Sequence, residues 1–528
     1  MKDVYQLGSS PGVVKVTGHE YSSEVDRDEV DLLRMGKKPV LKRRFGLMSL
    51  LGFSCTILIT WEGILIVFDI GFSNGGPGGL VYGLIIVWIG TLSVYACLSE
   101  LASMMPTAGG QYYWVAMLAP KSSRKFFSYA TGWLTVWGWQ ATLASVYYLA
   151  ATQIQGLIVM TRPDYDIKAW QTVLLFWASM VFTIFVNTVI GRFLPKFEGF
   201  ILILHILGFF AILIPLAIFG PHQPASEVFT TFLNTGDWST QGLSFMVGII
   251  GSVYTFTGAD GAIHMSEEIE NAAVIVPRAI IISLVINGAL GFGMLIVTLF
   301  SLTNVDGALK SPTGFPFMEI FLNSTGSVAG ATVMASILVV MQYAANVGLL
   351  AAASRMLWSF ARDRGLPGWK YLMHVEPRTA LPIRSILITT FVSLLLSLII
   401  LGSATAFNDL VSLSVSSLQS SYLVAISLLL YRRVTGGIHP RKSATDDVVS
   451  WGPWHMHGIW GIAVNSWACL YLITMVFFSF WPTATPVTAS TMNYAVLITG
   501  GVVIISLTYY QLWAKRVYTG PVIEISVE

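Results

Sequence analysis

About twelve stretches of this chain stay apolar for the roughly 17 to 25 residues that a helix needs to cross the hydrocarbon core of a bilayer. They run approximately 46–70, 79–104, 127–151, 170–190, 198–219, 242–264, 279–302, 328–356, 385–402, 408–430, 459–481 and 494–514. A segment in lipid must satisfy its own backbone groups, so these spans read as helices. No alternating pattern of a membrane barrel competes with them. The expected class is an all-α polytopic membrane protein. Composition agrees: 54% of residues are hydrophobic and 11% charged, against roughly 25% charged in an average soluble domain.

Basic residues orient the bundle. With both termini cytoplasmic, 27 of the 30 Lys and Arg fall in inner segments, and only Arg162, Lys168 and Lys310 fall in outer loops. The positive-inside rule favours that topology. It leaves no Lys or Arg deep inside a span, whereas Glu62, Asp69, Glu100 and Asp260 fall within spans. The net charge of +2 reflects the loop bias and gives no footprint for nucleic acid. Cys55, Cys97 and Cys469 lie within spans, so neither a disulfide framework nor a metal cluster is expected, and no cofactor is implied. Residues 1–45 are polar and lack the apolar core of a cleavable signal. They read as a disordered cytoplasmic arm.

Two spans break alike, each with glycine and a carboxylate: Thr60-Trp61-Glu62-Gly63 in the first and Thr257-Gly258-Ala259-Asp260-Gly261 in the sixth. Matching interruptions in two halves of a polytopic protein point to a binding site between repeats. Five spans per unit is an odd number, so the second unit is inverted. The expected organisation is a first five-helix repeat over 46–219, an inverted second repeat over 242–430, a cytoplasmic loop at 431–458, helices 11 and 12 within 459–514 and a cytoplasmic tail at 515–528. Residues 105–126 read as an interfacial helix. The outer segment 303–327 carries the glycosylation sequon Asn323-Ser324-Thr325.

Several motifs carry a resemblance. Gly75-Gly76-Pro77, Glu100-Leu101-Ala102-Ser103 with Pro106-Thr107-Ala108-Gly109-Gly110, the run Asp260-Gly261-Ala262-Ile263-His264-Met265-Ser266-Glu267-Glu268, and Ala361-Arg362-Asp363 are similar to those of the amino acid, polyamine and organocation (APC) transporter superfamily. Over residues 44–516 the chain most resembles its fungal amino acid/choline permeases, which include carriers of choline and of 4-aminobutyrate. The resemblance implies a LeuT-like fold of ten helices in two inverted repeats with two C-terminal helices added. It also implies unwound helices 1 and 6 and alternating access around a central site.

A broken helix exposes amide ends that attract a carboxylate and carbonyl ends that attract a cation. Two readings fit Glu62: cation recognition or proton coupling, or a hydrogen bond to another helix. Two also fit Asp260, as an acceptor at the unwound segment or as a cap on the inner half-helix. Thr60, Gly63, Gly258 and Gly261 shape the breaks. Trp61, Tyr254 and Phe256 flank them, and Trp139, Tyr147 and Tyr148 stand in span 3, where rings could cage an alkylammonium group. Gln342 and Asn346 share a face of span 8, for substrate contact or helix packing. The serines of span 10 suit close packing or a gate. His205 has no evident partner in span 5; it either carries the coupling proton or is neutral and hydrogen-bonded. Asp69 and Glu100, near helix ends, read as structural. His455 and His457 have chelate spacing without further ligands.

The expected function is secondary active, proton-coupled transport of a small amine-bearing solute, such as an amino acid, 4-aminobutyrate, choline or a related alkaloid. The expected site is a fungal membrane, the plasma membrane before the vacuolar one. The alternatives are a nutrient sensor on a transporter scaffold and an exporter of a nitrogenous metabolite. An enzyme is disfavoured because the titratable groups are isolated singles. A major-facilitator carrier is disfavoured by the short connection between spans 6 and 7. Glu62 and Asp260 make the predicted site net acidic, which favours a positive amine.

Overall fold

The computed structural model describes residues 12–14, 24–402, 406–440, 449–489 and 491–527. Among them, eleven helices are long and apolar enough to cross a membrane. The expected span 242–264 is not one of these eleven, because it is broken into pieces too short to count.

In chain order the helices are α1 (Glu24–Arg34), α2 (Leu47–Leu58), α3 (Thr60–Ile66), α4 (Phe68–Met104), α5 (Gln111–Leu118), α6 (Arg124–Thr161), α7 (Ala169–Thr188), α8 (Leu194–Phe219) and α9 (Ala225–Thr230). They continue with α10 (Gln241–Thr255), α11 (Gly261–His264), α12 (Ala272–Ser301), α13 (Val305–Leu309), α14 (Pro316–Thr325), α15 (Val328–Arg362) and α16 (Trp369–Leu372). The last are α17 (Ile383–Ser397), α18 (Ala406–Val434), α19 (Gly458–Phe478) and α20 (Ala495–Tyr509). Helix α4 is two helices joined at Gly76, whose φ of 67° and ψ of −170° are not helical. Its first turns complete span 1, and the part after Pro77 is span 2.

Each span earns its place by what its faces meet. On α8, His205 and Gly208 turn inward while Ile203, Leu207, Phe210 and Ile214 stay exposed, a division suited to a helix with lipid on one side. Helix α6 packs against α15 on one side and α18 on the other. The serines of α18 serve this packing: the Ser414 hydroxyl bonds Thr142 of α6, and Ser416 lies 3.2 Å from Thr499 of α20. The C-terminal half of span 1 and the N-terminal half of span 6 approach closely, since a Cβ on Gly248 would stand 3.2 Å from the Gly71 carbonyl oxygen.

The N-terminal arm departs from expectation. Residues 24–45 are ordered, while 1–11 and 15–23 lie outside the described residues. Asp28 and Arg34 of α1 bond groups on the bundle, Arg34 reaching Ser450 and the Met104 carbonyl, while Leu32 and Met35 bury against it. The Asp28 carboxylate accepts from the Asn271 and Ala272 amides at 2.6 and 3.0 Å, capping α12. Burial raises the Asp28 carboxyl above its usual range against the opposing pull of Arg43 and these amides. Arg44 and Phe45 donate their amides to the Glu268 carbonyl. Residues 12–14 pair in parallel with 525–527, so the two termini meet at one end of the bundle.

Candidate functional site

The first break is narrower than the sequence suggests. Span 1 departs from the helix at Ile59, with φ 36° and ψ 47°, and again at Val67, with φ −100° and ψ 21°. A β-branched residue in the left-handed region is strained, and such strain gathers at functional sites. Neighbours hold it there: the Thr60 amide donates to Asn287 Oδ1 at 3.2 Å, and the Thr60 hydroxyl donates to the Thr255 carbonyl at 3.0 Å. Thr60 therefore ties the break in span 1 to spans 6 and 7.

Span 6 unwinds more widely, over residues 256–260. Gly258 has φ 115°, and a Cβ there would stand 2.9 Å from Ile57 Cγ2. Only glycine meets both demands without strain. Its amide donates to the Tyr95 hydroxyl at 3.2 Å.

Between the two breaks lies a small pocket. Thr142, Tyr254, Thr255, Thr257 and Gln342 supply its polar groups, and Ile59, Gly63 and Leu149 part of its wall. Of the expected site residues, Gly63, Tyr254 and Gln342 line it. No carboxylate does, which corrects the expectation of a net acidic pocket: Glu62 and Asp260 are fully buried behind its walls.

Glu62 and Trp61 turn away from the pocket toward α8. Glu62 Oε1 lies 2.8 Å from His205 Nδ1, and the indole Nε1 of Trp61 lies 3.2 Å from the same nitrogen. His205, expected to lack a partner, thus has two. Sequence could not pair residues 143 positions apart. Trp61 packs its edge on Phe209, with ring centroids 6.0 Å apart, and is no wall of the pocket.

Asp260 forms a second cluster. Its carboxylate accepts from Gln111 Nε2 at 2.9 Å and the Tyr422 hydroxyl at 2.6 Å. It makes no cap bond to α11, because the backbone turn over 258–263 already engages those amides. The capping reading therefore fails and the acceptor reading stands. Gly261 sits in this cluster, where a Cβ would meet Ile57 and Trp139. Phe256 is buried at the end of α10. Gln111, Tyr95, Tyr422 and Asn287 were not singled out from the sequence; a lone amide in apolar span 7 was the one available signal.

Other expected residues point elsewhere. Asn346 donates to Ser179 of α7 at 3.1 Å, while Gln342, one turn earlier, reaches the Val146 carbonyl at 3.4 Å. Tyr147 bonds Thr183 of α7 at 2.6 Å. Trp139 stands edge-on to His264.

Toward the end that carries both termini, ion pairs close the bundle. Arg362 grips Glu267 with two bonds of 2.9 and 2.6 Å, and Arg355 bonds Glu268 at 2.8 Å. Although burial works against ionisation, Arg362, Lys37 and the Ala108 amide hold the Glu267 carboxyl below its usual range. Asp363 accepts from Lys37, the Tyr112 hydroxyl and the Val522 amide. Glu100 pairs with Arg433, in line with a structural role. Among the described residues no cluster of three or more His, Cys, Asp or Glu is disposed to hold a metal ion.

Comparison with known proteins bears on this arrangement directly. Residues 45–503 match the family described as amino acid permease. The chain is 32% identical to an amino acid/polyamine transporter of Macrophomina phaseolina, over 84% of this chain and 96% of that protein. It is 31% identical to a choline transporter of Saccharomyces cerevisiae, over 90% and 82%. It is 28% identical to an amino-acid permease of Arabidopsis thaliana, over 95% and 97%. A broken-helix membrane bundle around a small central pocket, matched over most of its length, places the chain in the amino acid permease family of the APC superfamily, as an integral membrane transporter.

Proposed function

We propose that the chain is a proton-coupled carrier of a small amine-bearing solute, an amino acid, 4-aminobutyrate, choline or a related alkaloid, working by alternating access. The observation that carries this reading is the buried Glu62–His205 contact. Trp61 N–H can only donate, so a bond from it to Nδ1 takes the one lone pair of that nitrogen and leaves none for Glu62. With the proton on Nδ1 instead, the ring donates to a Glu62 carboxylate. The two states differ in where one proton sits. Glu62 Oε2 and His205 Nε2 are buried without a hydrogen-bond partner, so each still has a bond to give or take.

The pocket supports the substrate class. Hydroxyls, one amide and the Tyr254 ring suit a small polar solute, and a cation there would feel Glu62 and Asp260 through low-dielectric walls. Two of the relatives, the choline transporter and the amino acid/polyamine transporter, are named for amine-bearing cargo. With the bias of Lys and Arg toward inner loops, the end carrying the termini faces the cytoplasm and is closed, so the pocket serves uptake across a plasma membrane of fungal type. Exposed Asn323 on α14 would then be an outward glycan acceptor.

The test is uptake of labelled amines by the protein reconstituted in liposomes, with an imposed proton gradient and again after a proton ionophore. Accumulation that collapses with the gradient supports the reading. Uptake indifferent to proton and sodium gradients alike would remove the coupling.

A further inference from the structure

A second histidine–carboxylate pair lies on span 6, with Asp260 at the end of its unwound part and His264 at the end of α11. His264 Nδ1 stands 2.9 Å from the Ala108 carbonyl oxygen. A carbonyl only accepts, so Nδ1 carries a hydrogen, and the neutral ring has a bare Nε2. That Nε2 faces Asp260 Oδ2 at 3.6 Å with no other hydrogen-bond partner, and both residues are fully buried. Asp260 is meanwhile held as an acceptor by Gln111 and Tyr422. A lone pair set against a carboxylate repels in a dry interior, and a proton on Nε2 turns the repulsion into an ion pair.

The pair is also wired to the closed end. The Ala108 amide donates to Glu267 Oε1 at 3.2 Å, the carboxylate that Arg362 grips. His264 therefore bridges Asp260, buried behind the pocket wall, to the loop whose Ala108 amide bonds Glu267. The titratable groups nearest the pair include Cys55 of α2 and Arg355 and Arg362 of α15, on helices packed against α11, Tyr112 and Tyr113 of α5 and Tyr422 of α18, on helices that bond Asp260, and Tyr95 of α4, which bonds the Gly258 amide. The two arginines are engaged by Glu268 and Glu267 on the turn after α11. Arg278 of α12 is exposed.

We infer that His264 is a second proton-carrying residue, one that positions the gate and not the solute. With Nε2 protonated, the ring ties Asp260 to the Ala108 carbonyl and holds the end bearing the termini closed. When the Nε2 proton leaves to water on that side, the bare nitrogen faces Asp260, the tie weakens, and α11 separates from α2. The inference rests on the transport reading for its place in a cycle but has its own readout.

The test uses the full chain in detergent with Cys55→Ala, Cys97→Ala and Cys469→Ala and with Ile57→Cys as the one thiol, since buried Ile57 of α2 packs against Gly261 of α11. Maleimide labelling rates are measured from about pH 5.5 to 8, the range of imidazole titration, with His264 present and with His264→Asn. The Asn amide keeps a donor for Ala108 but cannot titrate. The ratio of the two rates cancels the pH dependence of the thiol itself. The ratio is expected to rise about tenfold with pH. A ratio flat with pH overturns the inference; should the Asn variant fold poorly, His264→Gln gives the same comparison. A flat ratio beside intact proton-driven uptake sinks this inference alone. A rising ratio beside uptake that ignores the proton gradient sinks the coupling reading and leaves His264 as a gate.

Discussion

Glu62 of span 1 and His205 of span 5 meet at 2.8 Å inside the bundle, with the indole nitrogen of Trp61 on the same ring nitrogen. If this contact holds the coupling proton, Glu62→Gln and His205→Gln should each cut gradient-driven accumulation by about tenfold or more, the scale at which loss of a positioned acid or base acts. Trp61→Phe leaves the acid and base in contact and should keep the pH response. Uptake against external pH, normalised to protein in the membrane, separates these outcomes.

Gly258 tests the unwound segment. Alanine there must take a φ near 115° and bring Cβ to 2.9 Å from Ile57, a strain of about 1–3 kcal/mol. Gly258→Ala should lower the melting temperature and abolish uptake. Gly242→Ala, where an added Cβ meets nothing within 4 Å, should do neither.

The Glu267–Arg362 pair makes a prediction about pH. The folded Glu267 carboxyl is held below its unfolded value, so the stability it contributes is fully present above about pH 4.3 and is lost only as pH falls through the depressed value. The melting difference between the native chain and Glu267→Gln should hold steady from neutral pH down to that point and then shrink. Arg362→Met strands the buried carboxylate and should cost about 3–5 kcal/mol at neutral pH.

The arm gives a fourth prediction. Asp28→Ala removes the acceptor that caps α12 at Asn271 and Ala272, worth about 0.5–2 kcal/mol. Scanning calorimetry in detergent should register a lower transition without a change in secondary structure content. An unchanged melting temperature would mean that the arm rests on the bundle without bracing it.

Much of the fold was legible because lipid allows few options: long apolar runs become helices, and glycine beside a carboxylate marks where spans 1 and 6 depart from one. Even there the sequence misplaced detail. It put a four-residue break at Thr60–Gly63, whereas those residues are helical and the break falls just before them at Ile59, where Asn287 and Thr255 hold Thr60 on either side. It also read residues 24–45 as unstructured, because the partners of those charges lie hundreds of residues away.

The candidate site divided along the same line. Composition and periodicity determine that a residue lies in a span and that a charge there needs company, since burying it alone is costly. Which face of the helix the residue occupies, and what stands opposite, depends on the packing of other helices. Only the tertiary structure decided that Glu62 faces His205 and not the pocket, that Asp260 accepts from Tyr422 in place of capping α11, and that Gln342 and Asn346 part ways. The physical reason is that hydrogen bonds form over about 3 Å, a scale that helix crossings set and sequence spacing does not.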